Sequence, residues 1–281
     1  MPQTINTNMM SLNAQRNLNK TQGAMATTIQ RLSSGLRINS AKDDAAGMAV
    51  AEGMTSKIRG LSVAARNAND GISLAQTGES ALGKITDNLQ RIRELAVQSA
   101  NGTLGDTERD YLQTEVDELT AEVTRIVDTT EFNGKKLFAS ANVVKIQVGA
   151  NSGEQIAINT SGLSGLNAYG SAAKTVDVST SANAAKVLST ASAAASGMDA
   201  DIGKVINARS SMGAIQNRFE SVIENIASYK EGLQAARSRI TDTDYAEATA
   251  EMARNQVLQQ AGIAMVAQAN QIPQGVLRLL G

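Results

Sequence analysis

Two short stretches carry residue types that do chemistry when correctly spaced. Gly78-Glu79-Ser80-Ala81-Leu82-Gly83-Lys84-Ile85 nearly spells a phosphate-binding loop, in which main-chain N–H groups cradle phosphate and a lysine neutralises it. That pattern closes on Ser or Thr, whose hydroxyl holds magnesium. Ile85 stands there instead, and Leu82 and Ile85 fall on an apolar helical stripe. Asp242-Thr243-Asp244 resembles the start of a calcium loop, but the turn glycine and distal bidentate Glu are not in register. The two acids read more simply as a helix start, where they meet the positive end of the helix dipole. Asn101-Gly102-Thr103 and Asn159-Thr160-Ser161 match the Asn-x-Ser/Thr sequon, a pattern short enough to arise by chance.

Cys, His and Trp are all absent. This removes thiol nucleophiles, disulfides, imidazole bases and the usual zinc ligands together. Carboxylates, Lys and Ser remain, but no constellation of them points to catalysis. The reading is a non-enzyme with no cofactor and no metal site. The net charge of −1 supplies no basic field for nucleic acid or a membrane surface.

What remains is packing. The 281 residues are 42% hydrophobic but only 2% aromatic, so aliphatic side chains must fill the core, which suits helix-on-helix contact. Pro2 and Pro273 are the only prolines, and nothing between them forbids long helices. Leu82, Ile85, Leu89, Ile92 and Ala96 step by three and four, as do Leu112, Val116, Leu119, Val123 and Ile126. The longest series runs Ile215, Phe219, Val222, Ile226, Tyr229, Leu233, Ala236 and Ile240, and Met25, Ile29, Leu32 and Leu36 repeat it near the start. Such steps keep one seam facing a partner helix. Ala100–Asp106 reads as a stop and restart, with Asp106 or Thr107 capping the next helix.

From about residue 130 the texture changes. Glu131-Phe132-Asn133-Gly134-Lys135-Lys136 reads as a turn, and Val144, Ile146 and Val148 then alternate with polar residues, as do Ile156 and Ile158. This predicts a β-hairpin near 143–159, followed by Ser/Ala/Thr-rich sequence of weak periodicity until helical pattern resumes near Asp199. The fold class is mainly α: long antiparallel helices, a small β-hairpin insert, and helices again, with the late helix packed on the early ones. The first 42 residues hold five basic residues and no acid, whereas Asp242, Asp244, Glu247 and Glu251 open the last segment, so the two termini are expected to attract one another.

The end of the chain is unusual. From Asn255 to Leu277 there is no formal charge, yet eight Asn and Gln residues stud the run. Those amides would lack partners in hydrocarbon, so no membrane insertion is expected. The start, MPQTINTNMMSLNAQR, lacks the basic and apolar regions of a cleavable signal peptide. Burying the tail's apolar side chains does not by itself offset the entropy of ordering it. The segment is therefore expected to become helical among other chains. There, amides bond neighbours while Ala261, Gly262, Ala264, Ala267 and Ala269 permit close helix approach.

Longer motifs now carry a resemblance. Leu32-Ser33-Ser34-Gly35-Leu36-Arg37-Ile38-Asn39-Ser40-Ala41-Lys42-Asp43-Asp44-Ala45-Ala46-Gly47 is similar to the N-terminal signature of bacterial flagellin. So are Asn67-Ala68-Asn69-Asp70-Gly71-Ile72 and Leu89-Gln90-Arg91-Ile92-Arg93-Glu94-Leu95, while Gly213–Arg218, Ala236–Ile240, Val257–Gly262 and Leu277–Leu280 agree in the late half.

The resemblance implies a secreted subunit of the extracellular flagellar filament, a helical homo-oligomer. Residues 1–42 and 242–281 would form a terminal coiled-coil domain lining the central channel. Residues 43–170 and 197–241 would form a helical rod, leaving 171–196 as a minimal outer segment. Implied partners are flagellar cap and hook-associated proteins and an export chaperone that holds the late helices. The nearest rival within the superfamily is a hook–filament junction protein. Subunit assembly would involve Leu32, Leu36, Asp43, Asp44, Arg237, Arg239, Val257, Leu258, Met265, Ile272, Leu277, Leu279 and Leu280. In many flagellins the rod is read by a host Toll-like receptor, and the matching positions here are Arg91, Leu95 and Glu115.

Overall fold

The structure, a computed structural model, describes residues 7–160, 162–169, 176–188 and 197–280, with the side chains of 272–280 outside the description. Among the described residues, six helices and two small antiparallel sheets follow one another: α1 Met9–Ser34, α2 Ala45–Ser99, α3 Asp106–Thr129, β1 Glu131–Phe132, β2 Lys135–Lys136, β3 Asn142–Gln147, β4 Gln155–Thr160, α4 Ser181–Leu188, α5 Met198–Thr241 and α6 Tyr245–Leu280. Contacts divide the chain into residues 1–58 with 231–281, and residues 59–230. These boundaries lie further from the termini than 42 and 242, and within the first unit the start of α2 meets the end of α5, where Arg237 reaches the Thr55 hydroxyl (3.4 Å).

In the 59–230 unit the heptad stripes meet as expected. Leu82, Ile85, Leu89 and Ile92 of α2 are fully buried with Val116 and Val123 of α3 and Phe219 of α5. Gly78–Ile85 is thus mid-helix and forms no loop. A Gln216 Nε2 bond to Glu79 (2.8 Å) and an Arg93–Asp199 pair (2.7 Å) run α5 antiparallel to α2. The predicted hairpin forms with Val144 opposite Ile158 and Ile146 opposite Ile156, placing Ile156 and Ile158 in the core. The turn at 133–134 joins β1 to β2 through positive φ at Asn133 (51°) and Gly134 (76°), the backbone that a two-residue hairpin turn requires.

Two local expectations change. Gly105, not Asp106 or Thr107, occupies the cap of α3 and makes no side-chain bond there. Asp106 and Glu108 instead lie in the first turn, near the helix dipole's positive end. Within the stretch read as an outer segment, residues 171–175 and 189–196 lie outside the described residues, but Val176, Val178, Ala184 and Val187 are buried in the core cluster. Gln113 holds them: its Nε2 donates to Val176 O (3.1 Å) and its Oε1 accepts from Val178 N (2.6 Å), while the Ser99 hydroxyl donates to Val178 O. One amide side chain thereby satisfies two main-chain groups that burial would otherwise orphan.

Asp201, completely buried, pins the loop after β4 in the same way. Its carboxylate accepts from Asn167 N (2.6 Å), Ala168 N (3.1 Å) and Lys204 Nζ (3.4 Å). Burial pushes its carboxyl above the ordinary value, against the pull of those donors.

Candidate functional site

The terminal unit presents the candidate site. α1 begins at Asn8, whose side chain caps Ser11 N, and ends at Gly35 in the left-handed conformation that frees its N–H for Arg31 O. α6 begins beneath Asp244, whose Oδ1 accepts from Ala246 N (2.8 Å) and Glu247 N (3.3 Å). The Asp-Thr-Asp motif is therefore a helix cap.

The two helices pack antiparallel. At one end Asn8 Nδ2 donates to Ala269 O (2.7 Å) and the Ser11 hydroxyl to Asn270 Oδ1 (2.7 Å). At the other, Leu36 and Asp242 form an antiparallel bridge, with Arg37 N donating to Thr241 O (2.7 Å) and Thr243 N to Gly35 O (3.0 Å). Arg37 Nη2 also caps α5 through Ile240 O (2.6 Å), and the Tyr245 hydroxyl donates to Leu32 O (3.3 Å). Amides, two hydroxyls and main chain thus join the pair. The expected attraction of basic start for acidic end does not set these contacts, since among the described residues no ion pair links α1 to α6.

The stretch expected to order only among other chains is helical here in a single chain, with α1 as its partner. Gly262 lets Leu18 approach, and Ala248 and Ala269 are buried. The outward face is uncovered: Met9, Met10, Leu12 and Ile29 of α1 and Val257, Leu258, Ile263 and Met265 of α6 are all exposed. A groove of about 450 Å³ between the helices is lined by Met10, Ala14, Leu18, Leu258, Gly262 and Met265 among others. Isolated exposed apolar residues are ordinary; a sustained set along a helix pair, continuing on α6 into a run without formal charge from Asn255 to Leu277, marks a surface for another protein. No helix among the described residues is long and apolar enough to cross a membrane.

The remaining residues singled out by the motifs divide once placed in the fold. Leu32 is half-buried and Leu36 exposed beside the bridge. Asp43 accepts from Ser40 N (2.9 Å), Asn39 N (3.1 Å) and the Ser40 hydroxyl (3.1 Å), which hold its carboxyl below the usual range, and Asp44 caps α2 through Gly47 N (2.8 Å). Arg237 reaches the Thr55 hydroxyl (3.4 Å), while Arg239 is exposed. Ile272, Leu277, Leu279 and Leu280 lie beyond the described side chains.

Arg91 bonds Glu115 (2.9 Å) and Glu94 (3.1 Å), carboxylates that raise its guanidinium pKa, Glu115 foremost. Leu95, expected to share a receptor contact with Arg91 and Glu115, is 1% exposed and packs in the core, because it follows Ile92 on the buried stripe. The missed residues are Asn8, Ser11, Tyr245 and Asn270, polar positions that no spacing pairs across more than 200 intervening residues.

Comparison with known proteins agrees with this arrangement. Residues 5–143 match the bacterial flagellin N-terminal helical region, and residues 195–280 the C-terminal helical region. A flagellin of Halalkalibacterium halodurans is 46% identical over 279 residues, covering 98% of this chain and 99% of the relative. One from Xenorhabdus nematophila is 45% identical, with 100% of each chain covered. A Salmonella muenchen flagellin is 58% identical over 159 residues, spanning 57% of this chain but 32% of the relative. In structure, Bacillus cereus flagellin superposes with a TM-score of 0.50 at 30% identity, covering 57% of this chain and 88% of that one. Helix pairing, hairpin and the two matched helical regions converge: the chain belongs to the flagellin family, the structural subunits of the bacterial flagellar filament.

Proposed function

We propose that this chain polymerises with copies of itself into the extracellular flagellar filament, with the α1–α6 pair as the inner wall of a protein tube. Residues 1–42 and 242–281 form the core of that filament, and 43–170 with 197–241 the surrounding rod. Within segment 171–196, the outer region that this chain retains, Val176, Val178, Ala184 and Val187 are seated in the core of the rod. Neighbouring copies cover the exposed apolar face and leave the terminal helices lining the central channel. The observation that carries this reading is the absence of formal charge from Asn255 to Leu277, on a helix whose Val257, Leu258 and Met265 are exposed in the single chain. A helix surrounded by copies of itself buries whatever it carries, and an unpaired charge there is costly.

The same reading includes export through the flagellar type III route, a chaperone that holds the late helices beforehand, and contacts with cap and hook-associated proteins. Arg91 and Glu115 remain available to a Toll-like receptor as an exposed ion pair. Their first role is subunit contact.

A truncation lacking residues 256–281, observed by electron microscopy beside the full chain, tests the proposal. Filaments from the full chain and none from the truncation are expected; normal filaments from the truncation would refute the assigned role of α6. A full chain that stops at short caps on existing filaments would favour the junction-protein alternative.

A further inference from the structure

Sulfur in this protein is confined to methionine, since the chain has ten Met and no Cys. Accessibility sorts those residues by location. Met9 (62% exposed), Met10 (60%) and Met265 (62%) all lie on α1 or α6. Met198 (2%) and Met212 (1%) are buried in the core of the other unit. Met25, Met48, Met54 and Met252 are half-buried. The oxidisable thioethers are thus concentrated on the face proposed for assembly, and Met10 and Met265 line the same groove from opposite helices.

We propose that Met10 and Met265 form an oxidant-sensitive control on assembly. Their conversion to methionine sulfoxide in the free subunit stops a second copy from covering the α1–α6 face. The co-reactant is a peroxide. A sulfur lone pair attacks one peroxide oxygen, the O–O bond breaks, the S–O bond forms and water leaves. The thioether is oxidised by two electrons and the peroxide reduced by two. An apolar, pliable side chain becomes a polar one with a strong acceptor oxygen. Leu18 and Leu258 offer that oxygen no donor, and although the amides of Asn13, Asn17 and Gln268 also line the groove, a covering copy would meet a bulkier, hydrated side chain where a pliable apolar one had packed. In the single chain it faces water, so the α1–α6 pair stays folded. Once copies cover the groove, the same sulfurs are shielded.

This inference rests on the filament reading, and the experiment separates the two. Full-length monomer is treated with hydrogen peroxide and mapped by peptide mass spectrometry. Assembly is followed by sedimentation and electron microscopy. Sulfoxide is expected at Met9, Met10 and Met265 well before Met198 and Met212, with unchanged helical circular dichroism and at least about a tenfold drop in assembled mass. A pair of methionine sulfoxide reductases, one per epimer, should restore assembly. Filaments formed before treatment should keep Met10 and Met265 as thioethers. A Met10→Leu/Met265→Leu chain should assemble after peroxide as well as before.

Oxidised wild type assembling like untreated chain would overturn the inference while leaving the filament reading intact. So would failure of the reductases to rescue, or equal inhibition of the leucine chain. Untreated wild type that never assembles would overturn both.

Discussion

Gly71 of α2 lies directly against the ring of Phe219 of α5: a Cβ at 71 would stand 2.7 Å from Phe219 Cζ and 2.9 Å from its Cε2. The ring is fully buried, so neither partner can withdraw into solvent. The missing side chain, not backbone conformation, is what this contact requires.

Gly71→Ala should therefore destabilise the protein by about 1–3 kcal/mol through overpacking, despite alanine's higher helix propensity. Gly83→Ala on the same helix meets nothing within 4 Å and should stabilise by about 0.5–1 kcal/mol. Urea unfolding of the two variants checks the contrast, and equal shifts of the same sign would refute it.

Asp201 makes stability pH-dependent in a direction opposite to most carboxylates. Its folded pKa is raised above the ordinary 3.8, so the folded chain binds that proton more tightly than the unfolded chain. The stabilisation is complete below 3.8 and disappears as pH rises through the folded value. Asp201→Asn removes this titration together with one acceptor oxygen, so the slope of stability with pH is what isolates the titration. The wild-type advantage should shrink as pH rises from about 3.8 toward neutrality; an advantage that grows would show that the charged form is the favoured one.

Gln113→Ala leaves Val176 O and Val178 N without their partner in a buried site. A loss of about 1–3 kcal/mol is expected, with the Val178 amide exchanging its hydrogen faster than amides in the middle of α2. Unchanged protection at Val178 would mean that α4 and the Ser99 bond hold the segment unaided.

Val257→Asp separates assembly from folding. Because Val257 is exposed in the single chain, thermal stability of the monomer should change by no more than about 0.5 kcal/mol. Assembly should be abolished, since the carboxylate would be buried unpaired among copies. Filament yield at unchanged melting temperature reads the distinction.

The helical architecture is legible in periodicity because long stripes such as Leu82–Ile92 admit one arrangement, and the hairpin in the alternation of Val144, Ile146, Ile156 and Ile158. Leu95 belongs to the core by the same rule, three residues after Ile92; grouping it with Arg91 and Glu115 by motif sets that periodicity aside. The packing of residues 176–188 is hidden for a different reason. Val176 and Val178 are too short an alternation to stand out from Ser/Ala/Thr-rich surroundings, and their anchor, Gln113, is 63 residues away from Val176. Asp201 is, with Asp199, one of two acids in the first turn of α5. That it serves the main chain of Asn167 and Ala168 depends on tertiary placement alone.

The bridge at Leu36 and Asp242 has a mechanical consequence. Its two hydrogen bonds, from Arg37 N to Thr241 O and from Thr243 N to Gly35 O, lie across the chain direction rather than along it. A pull that slides α1 lengthwise past α6 must strain both at once, together with the Asn8 and Ser11 bonds at the far end. Load is shared in shear instead of being released one bond at a time. In the proposed filament, torque passing along the subunit would meet these bonds in shear.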